Sequence, residues 1–423
     1  MELNRRVFLR AGAGALGVAA AAPLLPRSSA VGAPRAAVLP APGTSGIDHV
    51  VVVTMENRSF DHFLGWLPGA TGQQAGLTYT DQAGTPHQTY HLAEFQGCGH
   101  LDPDHSYQGG RIEYDSGACD GWLRAANDLL AIGYFTQADL PFLGQAAPYW
   151  TTCDQYFAAT MSETYPNRLY LHAAQTDRIS DTTTISTLPT IWDRLSAAGV
   201  SGRYYYSDVP FLALWGTKYL PISQPIATFL TDCALGNLPA VSYVDPRFLL
   251  ESQGASGDDH PPSDIRAGET FLNQIYRAVT GSPNWARTAL VVMFDEWGGF
   301  FDHVPPTTAP DANANFALRG FRVPCVLISP MARRNRVYSD EVFDHTSILR
   351  MIEWRWGLAP LTPRDSAANN LADALDFTMR PNLAAPRWPV PTVASLPCPP
   401  GGVTTPDVWA QLRALAIAQG WPL

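Results

Sequence analysis

The chain has 423 residues, of which 46% are hydrophobic and 16% are charged. This balance is typical of a folded globular protein, and the length suits one large domain or two smaller ones. The formal net charge is -10, and no stretch gathers lysine and arginine into a basic stripe. The sequence therefore argues against nucleic-acid binding on electrostatic grounds.

The first 33 residues have the order of a twin-arginine signal peptide. Arg5 and Arg6 precede a mild apolar run at residues 11–25, and mostly small residues follow at 28–33. The alternative is an arginine-rich start to an ordinary helix. No later segment reaches membrane-spanning length. We expect twin-arginine export to the periplasm, the cell envelope or the medium, with the Pro- and Ala-rich residues 34–44 as a linker.

A short apolar run at residues 47–55 predicts the first strand. The run is rich in β-branched residues, which is typical of a strand buried on both faces of a parallel sheet. Glu56 and Asn57 follow it directly. In open α/β sheets ligands bind at the carboxyl ends of strands, so these two side chains are candidates for a site. The alternative is that the carboxylate only caps the next helix.

A second strand at residues 288–294 has the same order of features and is followed by Asp295 and Glu296. If the two strands are neighbours, these acids converge with Glu56 and Asn57 into a pocket lined by oxygen atoms. Carboxylates held close together repel each other unless a cation neutralises them. Oxygen ligands favour a hard divalent ion such as Ca²⁺ or Mg²⁺.

Strands and helices alternate through the rest of the chain. Further strands are predicted at residues 202–206, 239–244 and 321–328, and helices at 191–198, 265–279 and 343–354. This alternation predicts an α/β fold with a doubly wound, mostly parallel sheet and helices on both faces. Residues 65–148 read as a loop-rich insertion over the active site. We assign residues 45–375 to the catalytic domain and residues 376–423 to a Pro-rich packing arm.

Four polar segments contain candidate site residues. Thr164 precedes a helix that begins near Pro166, where its hydroxyl is either a nucleophile or an N-terminal cap. His105 and His260 lie in Asp-rich loops. Each loop is either part of a site or an ordinary surface turn. His345 stands at the start of a predicted helix, on the strand-end side of the sheet.

The six cysteines are scattered and include no C-x-x-C pair. Cys325 lies inside a predicted strand, which favours a buried free thiol. Export permits disulfides, and a bridge between Cys98 and Cys119 is our weakly favoured pairing among the many possible ones.

These motifs together resemble the bacterial phosphoesterase family of phospholipases C and acid phosphatases, a branch of the alkaline-phosphatase-like superfamily. The resemblance covers residues 45–375, and its motifs occur in the family's order. The matching segments are residues 56–62, 164–168, 258–262, 294–306 and 343–347. The chain departs from one common form of the pattern at Trp297, where many members carry His or Asn.

The resemblance implies a set of site residues. Thr164 is implied as the nucleophile, and His105, His260 and His345 are implied to surround the phosphate. One divalent metal ion is implied, with Ca²⁺ expected ahead of Mg²⁺ or another divalent ion. Its implied ligands are Glu56, Asn57, Thr164, Asp295 and Glu296.

The function implied by the resemblance is a phospholipase C that cleaves the phosphodiester of phospholipids through a phospho-threonine intermediate. Its partner is a phospholipid or another phosphate ester, and peripheral contact with a membrane stays open. One alternative is an acid phosphatase acting on soluble phosphomonoesters. Another is an exported binding protein without turnover. Five large aromatic residues either line a lipid-facing entrance or belong to the core: Trp66, Trp122, Phe211, Trp215 and Trp297.

Overall fold

The computed structural model describes residues 39–399 and 407–423. The predicted signal peptide and residues 34–38 of the predicted linker lie outside these ranges. Within them, each helix is too short or too polar to cross a bilayer.

The strands are short, and eight of them form one central sheet. In chain order the strands are β1 His49–Met55, β2 Thr78–Thr80, β3 Pro86–Gln88, β4 Tyr90–His91, β5 Gly133–Tyr134, β6 Thr151–Cys153, β7 Tyr156–Phe157, β8 Gly202–Tyr206, β9 Ser223–Pro225, β10 Val241–Val244, β11 Thr288–Phe294, β12 Cys325–Ile328, β13 Arg336–Tyr338 and β14 Phe343–Asp344.

The central sheet has the order β13-β6-β12-β11-β1-β10-β8-β9. Strand β12 runs antiparallel to both of its neighbours, and the remaining pairs are parallel. The predicted mostly parallel α/β sheet is therefore confirmed. Strand β1 lies between β10 and β11, and its apolar residues are fully buried because neighbouring layers cover the sheet.

Ten α-helices lie in the described ranges. They are α1 Phe60–Leu64, α2 Gly109–Tyr114, α3 Leu143–Tyr149, α4 Thr164–Ala173, α5 Ile191–Ala197, α6 Ile226–Leu235, α7 Ile265–Thr280, α8 His345–Trp356, α9 Pro363–Ser366 and α10 Val408–Ala418. Helix α4 packs against α5 and α8, whereas α7 packs against α6 and β11. These contacts bury the apolar face of each helix and enclose the sheet.

The segment between α1 and α3 is built mainly of loops and short strands, as the sequence predicts. Its anchors are buried aromatic residues, and Trp122 packs on Phe321 with ring centroids 4.5 Å apart. The C-terminal segment is likewise held by an aromatic contact, because Trp409 of α10 stacks on Phe248 at 3.8 Å.

The disulfide differs from the predicted pairing. Cys98 is bonded to Cys398, 300 residues away, whereas Cys119 is a buried free thiol. The C-terminal segment also contacts the loop between β10 and α7, where the Cys398 amide donates to the Gln253 carbonyl at 2.7 Å. The bridge thus ties the insertion to the C-terminal segment. Cys325 is a buried free thiol, as expected.

Candidate active site

Strands β1 and β11 are direct neighbours, which places their following loops side by side. Their parallel register pairs Met55 with Phe294, so Glu56 and Asp295 leave the sheet at the same level. The loops are then joined by hydrogen bonds: the Asn57 amide donates to Asp295 Oδ1 at 3.4 Å, and the Arg58 amide donates to the Glu296 carbonyl at 3.1 Å. The two acidic pairs meet at one edge of the sheet.

The backbone of both loops turns through left-handed conformations. Asn57 has φ of 56° and Gly298 has φ of 63°. Asparagine tolerates this region because its short polar side chain bonds locally, and glycine has no Cβ to clash. The turn at Asn57 aims its side chain away from the sheet, and its Oδ1 accepts from the Thr164 hydroxyl at 3.5 Å.

Thr164 is the first residue of α4, and its hydroxyl does not cap the helix. Glu163 occupies the N-cap position, and the Tyr165 amide donates instead to Asp181 Oδ1 at 2.6 Å. The alternative interpretation of Thr164 as an N-terminal cap is therefore wrong. Its side chain is 3% exposed and contacts Asn57 at the base of a pocket, which leaves the oxygen available for chemistry.

Arg168, one turn further along α4, is a site residue that sequence reasoning missed. Its guanidinium pairs with Asp295 at 2.8 Å, Asp245 at 3.0 Å and Glu56 at 3.4 Å. The sequence did contain a signal for this residue, because Arg168 lies inside the motif that contains Thr164. One positive charge here faces three buried carboxyl groups.

The carboxyl groups around Arg168 outnumber its single positive charge. Burial, then the nearby Asp295, raises the pKa of Glu56 well above its usual range. Burial also raises the pKa of Asp295, although Arg168 opposes the shift. Both Glu56 oxygens and Glu296 Oε1 are buried without a hydrogen-bond partner. Unpartnered buried carboxylate oxygens are of the kind that a hard cation binds.

The predicted ligands are not equally free. Asp295 Oδ2 accepts from Arg168, and its Oδ1 accepts from the amides of Asn57 and Glu296. Among residues 39–399 and 407–423, the trio Glu56, Asp295 and Glu296 does not bring three ligand atoms within 4.8 Å of one another. Glu56 and Glu296 are the acids with oxygen atoms to offer.

His105 faces the acidic loops from the insertion. Its Nδ1 donates to the Pro103 carbonyl at 2.7 Å, which leaves Nε2 at 3.9 Å from Glu296 Oε1. Burial lowers the pKa of His105, but the carboxylates of Glu296 and Asp102 outweigh it and raise the pKa well above its usual value. The direction of this shift favours the protonated imidazole, and Nε2 also lies 3.5 Å from Asn57 Nδ2.

His260 reaches the same pocket from the loop before α7. Its Nε2 lies 3.4 Å from Asp102 Oδ2, and its Nδ1 is buried without a hydrogen-bond partner. The Asp258 carboxylate accepts from the His260 amide at 3.0 Å, so this Asp-rich loop holds the imidazole in place. The site interpretation of the loop thus gains support over a surface turn.

The structure keeps His345 out of the pocket. Its Nε2 donates to the Asp295 carbonyl at 2.6 Å, its Nδ1 is 3.4 Å from the Tyr156 hydroxyl, and the residue is fully buried. Burial lowers the pKa of His345 to about 4. Both ring nitrogens are thus engaged with protein groups behind Asp295, and His345 is not among the residues that line the pocket.

The pocket itself has a volume of about 480 Å³. Its walls include Thr164, His105 and His260, together with residues that sequence reasoning did not select: Asp102, Glu251 and Gln411. Gln411 belongs to α10, so the segment predicted to be a packing arm also forms part of the wall. No sequence motif marks Glu251 as a site residue, because it lies in a loop whose position depends on the tertiary structure.

The large aromatic residues belong mainly to the core. Trp122, Phe211, Trp215 and Trp297 are buried, and Trp66 is half-buried. Trp297 points away from the pocket and donates to the buried Glu113 Oε2 at 2.8 Å. The interpretation of these residues as an entrance is therefore wrong for the four buried ones.

Known proteins are similar to this chain in sequence over most of its length. The model of the phosphoesterase family matches residues 47–359. Phospholipase C A of Mycobacterium tuberculosis is 30% identical over 486 residues, covering 94% of this chain and 90% of that protein. Non-specific phospholipase C3 of Arabidopsis thaliana is 28% identical over 388 residues, covering 79% and 74%. The solved phosphonate monoester hydrolase of Agrobacterium radiobacter is more distant, at 11% identity, coverage of 78% and 77%, and a TM-score of 0.39.

The family match and the phospholipase C relatives indicate a hydrolase that acts on phosphoester bonds, here built on a mostly parallel α/β sheet. This chain belongs to the phosphoesterase family.

Proposed function

We propose that this protein is an exported phospholipase C that cleaves the phosphodiester of phospholipids with Thr164 as its nucleophile. The observation that carries the proposal is the hydroxyl of Thr164, which lies 3.5 Å from Asn57 Oδ1 in a pocket that His105 and His260 also line. A binding protein needs no such hydroxyl. The names of the relatives support the choice of a phospholipid as substrate.

The proposed cofactor is one divalent ion, Ca²⁺ ahead of Mg²⁺, held by Glu56, Asn57, Thr164, Asp295 and Glu296. The unpartnered oxygens of Glu56 and Glu296 support this assignment. When bound, such an ion would lower the pKa of the Thr164 hydroxyl, whose proton would pass to water, and would offset the charge of the acids.

The chain's own residues account for the remaining steps. Thr164 Oγ forms a bond to phosphorus as the bond from phosphorus to the glycerol oxygen breaks. His105 donates the proton on Nε2 to the departing alkoxide, which leaves as diacylglycerol. Water then attacks phosphorus and breaks its bond to Thr164, which releases the phosphorylated head group and restores the hydroxyl.

Replacement of Thr164 tests the nucleophile. Thr164→Ala should lower turnover of phosphatidylcholine by ~10³-fold or more, because the variant lacks the proposed nucleophile. Thr164→Ser keeps a hydroxyl and should retain measurable turnover. Both variants should keep the wild-type unfolding temperature. Undiminished turnover by a folded Thr164→Ala variant would refute the assignment.

The same assay separates the alternatives. A simple phosphomonoester should be hydrolysed more slowly than phosphatidylcholine by the wild-type protein. Faster hydrolysis of the monoester would make the protein an acid phosphatase instead. Binding of both esters without turnover of either would make it a binding protein.

Export by the twin-arginine route is part of the proposal. The order of charged, apolar and small residues at positions 1–33 supports it, and the Cys98–Cys398 disulfide is typical of proteins outside the cytosol. Replacing Arg5 and Arg6 with lysine should leave the protein in the cytoplasm. Unchanged export of that variant would contradict the route.

A further inference from the structure

The described residues contain two clusters in which three acid or histidine side chains offer ligand atoms within 4.8 Å of one another. The first consists of Asp61, Asp302 and His303. Arg322 fills it, because its guanidinium donates to Asp61 at 3.0 Å and to Asp302 at 2.9 Å. That cluster therefore already carries its own cation.

The second cluster consists of Glu56, Glu251 and His260, and it has no comparable donor. Both oxygens of Glu56, Oε2 of Glu251 and Nδ1 of His260 are buried without a hydrogen-bond partner. The three residues are no more than 5% exposed. Arg168 reaches one oxygen of Glu56, at 3.4 Å. Four unpartnered polar atoms in one buried place would cost several kcal/mol together unless something binds them.

The orientation of His260 points to a metal ion as that ligand. Its Nε2 lies 3.4 Å from Asp102 Oδ2, and its Nδ1 is the ring nitrogen without a hydrogen-bond partner. A metal-binding histidine commonly donates its other ring N–H to a carboxylate in this way. The Asp258 carboxylate accepts from the His260 backbone amide at 3.0 Å, and one ring nitrogen of His260 lies within 4.8 Å of a carboxylate oxygen of each glutamate.

We propose that Glu56, Glu251 and His260 form a second cation site, selective for a divalent transition-metal ion of the zinc or manganese type. One imidazole nitrogen with two carboxylates suits such ions better than Ca²⁺, which prefers an all-oxygen set. The site differs from the all-oxygen ligand set proposed above, and the two sets have only Glu56 in common. Glu251 and His260 line the same pocket as Thr164, so an ion there lies on the wall that faces the substrate.

This site can be tested without measuring turnover, so its test is independent of the proposed function. The untagged full-length protein is freed of metal with a chelator and titrated with Zn²⁺ alone, and separately with Ca²⁺ alone, by calorimetry. Glu251→Gln should weaken Zn²⁺ binding at least tenfold and leave Ca²⁺ binding unchanged. Titration with Co²⁺ should give an absorption spectrum that His260→Ala alters, because the imidazole nitrogen is a ligand.

Glu163→Gln is the matched control, because Glu163 lines the same pocket but lies outside the cluster. It should bind Zn²⁺ as the wild-type protein does, and the unfolding temperature of each variant shows that it is folded. Equal Zn²⁺ affinity in the wild-type and Glu251→Gln proteins would overturn the proposal, as would absence of Zn²⁺ binding to the wild-type protein. Loss of Ca²⁺ binding in Glu296→Gln with Zn²⁺ binding retained would assign the two ions to separate sets.

Discussion

Arg168 is the positively charged side chain that lies among the acids of the site. It is 2% exposed and pairs with Glu56, Asp245 and Asp295. A buried guanidinium with three acidic partners is costly to remove, because each partner then remains as a buried charge or must take up a proton. At the scale of single residues, this makes Arg168 a structural requirement of the site as well as a neighbour of the nucleophile.

We expect Arg168→Gln to lower the free energy of unfolding by about 3–5 kcal/mol at neutral pH, the usual cost of breaking a buried ion pair from one side. Chemical denaturation followed by circular dichroism would measure it. Arg336→Gln is the control, because Arg336 pairs with Asp340 at a partly exposed site, where the loss should be below about 1 kcal/mol. Equal losses in the two variants would contradict the role of Arg168.

At the scale of elements, the site depends on how closely the loops after β1 and β11 approach each other. Gly298 permits this approach, since a Cβ at position 298 would overlap the backbone carbonyl of Asn57. The residue also has φ of 63°, a backbone conformation that residues other than glycine adopt only at a cost in free energy. The position of Asn57, and through it the contact with Thr164, therefore depends on a missing side chain in the opposite loop.

Gly298→Ala should thus destabilise the fold and lower turnover together, because Asn57 must move to admit the methyl group. Gly76→Ala isolates the conformational cost, since Gly76 also has positive φ, of 83°, but faces open space. The control should lose about 1–2 kcal/mol from backbone strain alone and keep its activity. Urea denaturation and phosphatidylcholine turnover would measure both effects, and similar results for the two variants would argue against close packing of the loops.

Over the whole molecule, the structure buries many carboxyl groups. Burial raises the pKa to about 8 for Glu113, Asp181 and Glu269, and to about 9 for Glu353. Folding therefore favours the protonated form of each group. Their contribution to stability is complete below the unfolded pKa, near 4–5, and is lost as the pH rises through the folded pKa. We expect the protein to be more stable near pH 5 than near pH 8.

Glu269 offers a clean test of this pH dependence, because its Oε2 accepts from the Leu143 amide at 2.8 Å and a glutamine can accept the same bond. In Glu269→Gln, the fall in the free energy of unfolding between pH 5 and pH 8 should be smaller by up to a few kcal/mol. Glu94→Gln, at an exposed position, should keep the wild-type fall. Parallel curves for the wild-type protein and Glu269→Gln would refute the expectation.

The sequence alone determined the central elements and the chemistry at their ends. Strand β11 occupies Thr288–Phe294 as predicted, and β8 and α5 fall within one residue of their predicted bounds. Apolar periodicity reports these elements because it records how each segment is buried, which is a local property. The meeting of Glu56 with Asp295 could also be predicted, since neighbouring parallel strands end at the same edge.

Only the tertiary structure decided which distant groups complete the site. Glu251, Arg168 and Gln411 join the pocket or its acids through contacts between segments far apart in the chain, and Cys398 finds Cys98 across 300 residues. His345 shows the same limit of prediction from sequence. Its motif predicts a site residue, whereas packing places its ring nitrogens against the Tyr156 hydroxyl and the Asp295 carbonyl. No local pattern encodes such partners, since the path of the loops between strands decides them.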